Sequence, residues 1–600
     1  MFKKSFQYIL AVILISIGTT AKAQNDTTLT QEVEVVKAYT PTIREAYKIN
    51  EMPHIEEKEQ EKPTFNYSIF SQPIFNTFSV NTLKAATFAS EPDEEYGYGL
   101  VKAGLGNYNK PYGEVFFNSQ NIKNTIFGLH GKHLSSHAKI KLEGGDKVKA
   151  PFSENHAEMF IKHLARKSIL SVNLSFDHDG FNYYGYPLDS VPAMLKEENQ
   201  KINYFGKRQT FSKGALNINL ENSDADIDEF AFDFNFLYHY FGTKTDQREH
   251  FGEFMVDVRN PLETGIGFLE AGAAFVRSNN IFNFNTLDTS YNQQIWLIAK
   301  PAWRFGGEIA NVTVGANAWF VMDDDTDTKA KLAPNVRVNF VPVKEVISIY
   351  AGIDGNYQNN HYSKIAYENP FVDTAHDIQN SFEKLRVFGG FDGKFAPKTN
   401  FKLSAEYSMI DVEHFYYLYE YIYPGTGPQQ SPYIINNDFD VIYDNMKRTK
   451  FNLEIFHTSS EKLDLLISGN YYIYKLDSLE EAWNKPNWEA KVALGYKISE
   501  QLTVSTDVFL TGSRQALIVR RSGFDTRPNP YVPISEIPLA VKNPYSLQPV
   551  IDMNFNADYK ITQDFLVFVH LHNFGFQQYQ RWFGYPVQSF NILGGLSYTF

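Results

Sequence analysis

The sequence predicts an all-β protein, a transmembrane antiparallel β-barrel of about 22 strands with a short amino-terminal periplasmic segment. Three observations lead there. An export signal is followed by no long apolar run, many segments alternate apolar and polar residues, and the connections between them alternate short and long.

The export signal comes first in the chain. "MFKKSFQYILAVILISIGTTAKAQ" carries Lys3 and Lys4, an apolar run from Tyr8 to Ile17, and the small-x-small site Ala21-Lys22-Ala23. Residues 1–23 therefore read as a cleaved signal peptide, with the mature chain starting near Gln24. A helical span needs about 20 apolar residues, and no later stretch approaches that. The 600 residues include no cysteine, which excludes disulfides, thiolate metal sites and a cysteine-linked lipid.

Composition leaves two architectures. Aromatic residues make up 16%, with 37 Tyr and 50 Phe, yet the mean hydropathy is only −0.35. An exported chain of this kind is either a soluble all-β protein or a membrane barrel. The net charge of −13 becomes −16 once Lys3, Lys4 and Lys22 leave with the signal. Such an acidic chain lacks the basic footprint that nucleic acid requires.

Periodicity separates the two. In "EFAFDFNFLYHYF" Phe230, Phe232, Phe234, Phe236, Tyr238 and Tyr240 share one face, against Ala231, Asp233, Asn235 and His239. "VISIYAGIDGNY" sets Ile347, Ile349, Ala351 and Ile353 against Ser348, Gly352 and Asp354. "VIDMNFNADYKI" sets Ile551, Met553, Phe555, Ala557 and Tyr559 against Asp552, Asn554, Asn556 and Asp558. A period of two over about ten residues gives one dry and one wet face, at the length a tilted membrane strand needs. Core strands of soluble sandwiches run shorter, at about 5–6 residues.

The connections follow the same rule. Short turns are read at "SQNIKN", "NSDADID", "RNP", "PVKE", "PKTN", "HTSSEK", "KISEQ" and "KITQD". Long loops are read at 134–154, 180–200, 277–293, 358–384, 415–440 and 512–547. Alternation of this sort marks a barrel with periplasmic turns and surface loops, here from about residue 95 to 600. The closing strand "SFNILGGLSYTF" has Leu596, Tyr598 and Phe600 on its apolar face. They are expected to seal the barrel, sit in the inner aromatic girdle and act as a signal to the outer-membrane insertion machinery.

"VFVHLHNFGFQQYQRWFGYPVQSFNILGGLSYTF" resembles the carboxy-terminal end of TonB-dependent outer-membrane receptors. The matching residues are Asn573-Phe574, Tyr579, Gly584-Tyr585-Pro586 and the final aromatic strand, while Gln588-Ser589 replace the family's usual basic residue. The motif covers about the last 35 residues; beyond it, from Tyr96 on, the likeness lies in strand number and loop alternation. In style and composition the barrel also resembles those of Bacteroidetes-like bacteria.

The resemblance implies a folded plug ahead of the barrel, and here the chain departs from it. Residues 24–94 are too few for such a plug. In that segment Glu32, Val33, Val35 and Val36 are candidates for docking a TonB-like or other periplasmic protein by strand addition, against an ordinary extended tether. "HIEEKEQEKP" reads as a charged linker, and Phe65–Val80 as an apolar stretch that partly fills the lumen. A bore of about 22 strands needs a filling. The sources are this segment, inward-folded loops or a partner.

Other candidate sites are local. Asp323, Asp324, Asp325 and Asp327 offer hard oxygens to Ca²⁺, but the spacing of a dedicated calcium loop is absent and a solvated loop tip is favoured. His570 and His572 share one strand face without a third ligand and read as lumen lining. In "FYYLYEYIYPGTG", Tyr417, Tyr419, Tyr421 and Tyr423 are surface binding candidates for sugars or a surface lipoprotein, shared with a girdle role. No metalloprotease motif, nucleophile elbow or phosphate loop is present, so neither an enzyme nor a cofactor is expected. Two functions stand: solute transport or a channel across the outer membrane, and a non-transporting scaffold that binds other envelope proteins. Outer-membrane lipids are partners in both.

Overall fold

A computed structural model describes residues 98–119, 122–185, 208–222, 229–280, 290–323, 326–373, 378–423, 433–435, 438–459, 462–522 and 540–600. Twenty-two of its strands close into one antiparallel ring. In chain order these are β1 (Gly99–Gly106), β2 (Lys110–Asn118), β3 (Thr125–Ser136), β4 (Phe152–Leu164), β5 (Ser168–Asn182), β6 (Arg208–Asn222) and β7 (Ala231–Thr243). There follow β8 (Arg248–Leu262), β9 (Gly265–Asn280), β10 (Ser290–Gly306), β11 (Ala310–Asp323), β12 (Thr326–Val343), β13 (Ile347–Gln358) and β14 (Ser381–Ala396). The rest are β15 (Thr399–Tyr423), β16 (Phe439–Ser459), β17 (Leu463–Leu476), β18 (Trp488–Lys497), β19 (Leu502–Thr511), β20 (Val550–Lys560), β21 (Phe565–His572) and β22 (Asn591–Thr599).

Each strand pairs with its neighbours in sequence, and β22 pairs with β1 to close the ring. Val101 faces Tyr598 and Ala103 faces Leu596 across that seam. Gly99 and Phe600 exchange both backbone hydrogen bonds, at 2.9 and 3.0 Å. The Phe600 ring lies so close over Gly99 that a Cβ there would meet it at 2.5 Å. The seam has no open edge, as a closed barrel in lipid requires.

The faces are inverted relative to a water-soluble protein. Along β20, Ile551 and Tyr559 are exposed while Asp552 and Asn554 are buried. On β13, Ile349 and Ile353 face out and Asp354 faces in, bonded to Arg386 of β14. Exposed apolar surface costs about 25 cal/mol per Å² in water, so a belt of this extent belongs against hydrocarbon. Exposed aromatics gather toward the turn ends, among them Phe305, Phe340, Phe395, Tyr496, Phe565 and Phe600. Phe600 of the closing strand lies among them.

Local chemistry sets the turns. Lys123 and Asn124, both at positive φ, make a two-residue hairpin in which Ile122 and Thr125 exchange backbone bonds at 3.0 Å. The turn read at "RNP" comes later. Arg259–Pro261 still pair in the β8–β9 ladder, and the chain reverses at Glu263-Thr264, where Gly265 takes φ +150°. Length alternation is also less strict than expected, since β1–β2 and β7–β8 are joined on the loop side by connections as short as turns. The segment 24–94, with Glu32, Val33, Val35 and Val36, lies outside the described residues.

Candidate functional site

The bore is polar. The inward face of β1 to β5 carries Lys102, Glu114, His130, His156 and Asp177 in a ladder. His130 Nε2 lies 2.9 Å from Glu114 Oε1, and His156 Nδ1 lies 2.6 Å from Asp177 Oδ1. Further round, Arg386 grips Asp354 through two bonds of 2.7 and 2.6 Å. Arg448 lies 3.3 Å from Glu406 and 3.5 Å from Glu383. A charged, half-accessible lining of this kind is wetted by water.

The loop side is closed by the loops themselves. The chain's departure from the wall begins in β15, where the register with β16 shifts between Ile410 and Glu413. Val412 there takes φ +59°, a strained choice for a β-branched residue. Its carbonyl accepts from Ser381 Oγ at 2.7 Å. Bulges bend strands and re-aim their side chains. Beyond this one, Phe415, Tyr416, Tyr417 and Leu418 are all buried, so both faces of the strand are packed.

A hairpin from the β19–β20 loop, Arg514–Ser522 with Ala540–Leu547, lays its first strand parallel to this overhang. Tyr417 pairs with Leu517 and Leu418 with Ile518. One face of the pair, with Phe415, Tyr417, Leu517 and Val519, packs on Ala482 and Trp483. The other meets Tyr183, Ile365, Phe371, Phe439, Trp582 and Tyr585.

That second cluster draws on loops after β5, β13, β19 and β21. From β5 to β15 is ten of the 22 steps around the ring, nearly a diameter. Neighbouring strands stand about 4.8 Å apart, so these loops meet only by crossing the mouth. Phe371 stacks on Tyr585 with centroids 3.6 Å apart, and Tyr184 Oη donates to the Pro586 carbonyl at 3.0 Å.

Charges knit the same cap. Lys485 Nζ lies 2.8 Å from Glu413 Oε1, and His414 Nε2 lies 2.8 Å from Glu368 Oε2. Desolvation raises the Glu368 carboxyl, but His414 and Lys485 outweigh it and hold the group down at about 2. Burial works against the Lys485 charge, yet Glu413 and Glu368 pull its ammonium above the usual range. Arg514 donates to the carbonyls of Arg581 and Gln580, both at 2.8 Å.

The loop after β13 also anchors to the wall at β7 and β8. It carries the helix α1 (Tyr362–Glu368), whose start meets β7 and β8. Glu249, with no exposed side-chain surface, accepts from the Ser363 backbone N–H at 3.3 Å and from Ser363 Oγ at 2.6 Å. His361 Nδ1 lies 2.9 Å and His239 Nε2 3.5 Å from the same carboxylate. Phe251 stacks against both imidazoles, with centroids 5.0 Å away in each case.

The sequence candidates fall differently. Leu596, Tyr598 and Phe600 come together at the seam. Tyr417 is inside the cap, not on the surface, with its hydroxyl on Asp440 at 2.7 Å; the side chains of Tyr419, Tyr421 and Tyr423 lie outside the described residues. Asp323 accepts from Gln294 at 3.1 Å, while Asp325 and the Asp327 side chain lie outside them. His570 and His572 line one strand face with ring centroids 6.4 Å apart. Sequence reasoning missed the cap centre and the His239–Glu249–His361 group, whose members are scattered over loops and strands. Only Tyr585 carried a signal, within the Gly-Tyr-Pro motif.

No family model and no curated protein matches the chain. Solved structures do. The pyoverdine outer membrane receptor FpvA from Pseudomonas aeruginosa is 12% identical with a TM-score of 0.60, over 85% of this chain and 79% of that one. The siderophore receptor PirA from Acinetobacter baumannii is 12% identical with a TM-score of 0.58, over 85% and 81%. The iron transporter FrpB from Neisseria meningitidis is 10% identical with a TM-score of 0.58, over 85% and 82%. At such identity the likeness carries the fold: a 22-stranded barrel of the TonB-dependent receptor type.

Proposed function

We propose that this chain, which has the barrel fold of TonB-dependent receptors, sits in the outer membrane and passes a solute through a bore gated by its surface loops. The observation that carries this is the pairing of a wide polar bore with a loop cap that spans it. A permanently open bore of this width would leak, and the loops across its mouth offer a way to control it. The lining supports traffic and the cap supports control. Neighbours of the same fold are described as receptors and transporters for siderophores and metals, and a non-enzymatic role agrees with them.

The density of the cap favours a second reading, in which the barrel stays shut and scaffolds other envelope proteins. Four consecutive buried residues and a parallel strand pair are costly to separate. Conductance of the purified barrel in planar bilayers decides between them. The transport reading expects closed and open levels, with openings lengthened when the 512–549 hairpin is removed. A barrel that stays silent with the hairpin deleted, and with residues 66–93 deleted as well, leaves only the scaffold.

A further inference from the structure

Three side chains at the junction of loop and wall form a donor set that the cap's mechanics do not require. His239 on β7 and Glu249 on β8 point to the inner face, and His361 reaches them from the loop just ahead of α1. A single hydrogen-bonded carboxylate would be enough to tie down that helix. Instead, two imidazole nitrogens and a carboxylate oxygen all lie within 4.8 Å of one another. Glu249 is fully enclosed and His239 nearly so, while His361 keeps a little exposure.

We propose that His239 Nε2, Glu249 Oε1 and His361 Nδ1 bind a divalent transition ion of the Zn²⁺ class, and that the ion bolts the β13–β14 loop to the wall at β7–β8. Ligands about 2.0–2.2 Å from a tetrahedral ion stand about 3.3–3.5 Å apart. The two histidine nitrogens lie 3.5 and 2.9 Å from the Glu249 oxygen, so small side-chain shifts produce that geometry. Two imidazoles and one carboxylate suit Zn²⁺, Cu²⁺ or Ni²⁺ and are too poor in oxygen for Ca²⁺. The Ser363 hydroxyl, 2.6 Å from Glu249 Oε1, 2.8 Å from His361 Nδ1 and 3.4 Å from His239 Nε2, either rotates aside or becomes the fourth ligand. A site open to one side through His361 admits the ion from the loop surface.

A second group, His130, His156 and Glu158, is also close enough for a metal. Its members are already engaged along the bore ladder: His130 with Glu114, and His156 with Asp177. It joins strands of the wall only, so an ion there would fasten nothing that the backbone does not already hold. It serves as the internal control. The loop site stands on its own donors, whatever the barrel passes or scaffolds.

The test uses full-length protein in detergent, stripped with chelator and titrated with Zn²⁺. Wild type should take up one tight equivalent, and Zn²⁺ should slow proteolysis within 359–380. His361→Ala and Glu249→Gln should each weaken that equivalent by more than ten-fold, since losing even an outer-shell partner costs about 10–100-fold. The pair His130→Ala with His156→Ala should keep it. Heat-modifiable migration on gels shows which variants remain folded barrels. Wild type loaded with Co²⁺ should give the visible bands of a tetrahedral nitrogen–oxygen site, a readout that needs no variant. Absence of stoichiometric Zn²⁺, Cu²⁺ or Ni²⁺ uptake overturns the proposal, as does an equivalent that survives His361→Ala or is lost with the control pair.

Discussion

The ring of Phe371 lies flat on the ring of Tyr585, with centroids 3.6 Å apart and planes 16° from parallel. One belongs to the loop after β13 and the other to the loop before β22. Their contact holds only while the cap spans the mouth, so Tyr585→Ala should loosen it. Removing a buried aromatic costs about 3–5 kcal/mol. Hydrogen exchange should quicken in 361–373 and 581–586 while the amides of β1 to β4 keep their protection. Equal quickening in both would show that cap and wall open as one unit.

A reversible lock tests whether traffic needs the cap to move. The sequence has no cysteine, so a pair introduced as Leu418→Cys with Ile518→Cys meets no competing thiol. These positions are partners in the parallel ladder, at a spacing that a disulfide can bridge. Oxidation should abolish conductance or solute uptake, and reductant should restore it. Unchanged traffic in the oxidised form would place the path outside the hairpin.

Orientation is open to labelling. Gly144, in the ribbon between β3 and β4, lies on the loop side; Lys398, between β14 and β15, lies on the turn side. In intact cells an impermeant maleimide should label Gly144→Cys and spare Lys398→Cys. The opposite pattern would turn the barrel over.

Acid should weaken the ties of this loop, the one through Glu368 among them. Glu368 has its carboxyl lowered to about 2 from an ordinary 4.5. A depressed acid contributes stability above its unfolded value and loses it as the pH falls toward the folded one. Protease sensitivity of 359–380 should therefore rise as the pH drops from about 4.5 toward 2. Glu368→Gln should reduce that dependence, leaving the part that Glu249 contributes through His361 and Ser363. The side chain keeps 38% of its surface accessible, so a modest slope is expected.

Phe600 can be probed by removal. Its deletion takes away the two bonds to Gly99 and the ring that covers it, so the yield of heat-modifiable barrel should fall. Wild-type yield would assign closure to Leu596 and Tyr598 alone.

The wall was legible in the sequence because a lipid-facing strand repeats one instruction every second residue. Ile551 to Tyr559 or Ile347 to Ile353 suffice to show it. The cap was not, because its rule is neither local nor periodic. The stretch from Phe415 to Tyr423 read as the start of a loop with a girdle, since apolar residues occupy both parities. In the structure both parities are needed, one for each layer of the cap. Glu249 and His361 belong to no sequence motif, because only the fold of the loop that carries α1 brings them together.

The seam between β1 and β22 has a consequence for the order of events in the cell. β1 precedes the other 21 barrel strands in the chain, and the partner for one of its edges, β22, follows all of them. Throughout synthesis and export that edge offers unpaired amides and carbonyls to any passing strand, including those of other copies. A chain cut short anywhere upstream keeps the edge exposed and cannot seal. Closure by β22 is thus what hides the adhesive margin of β1.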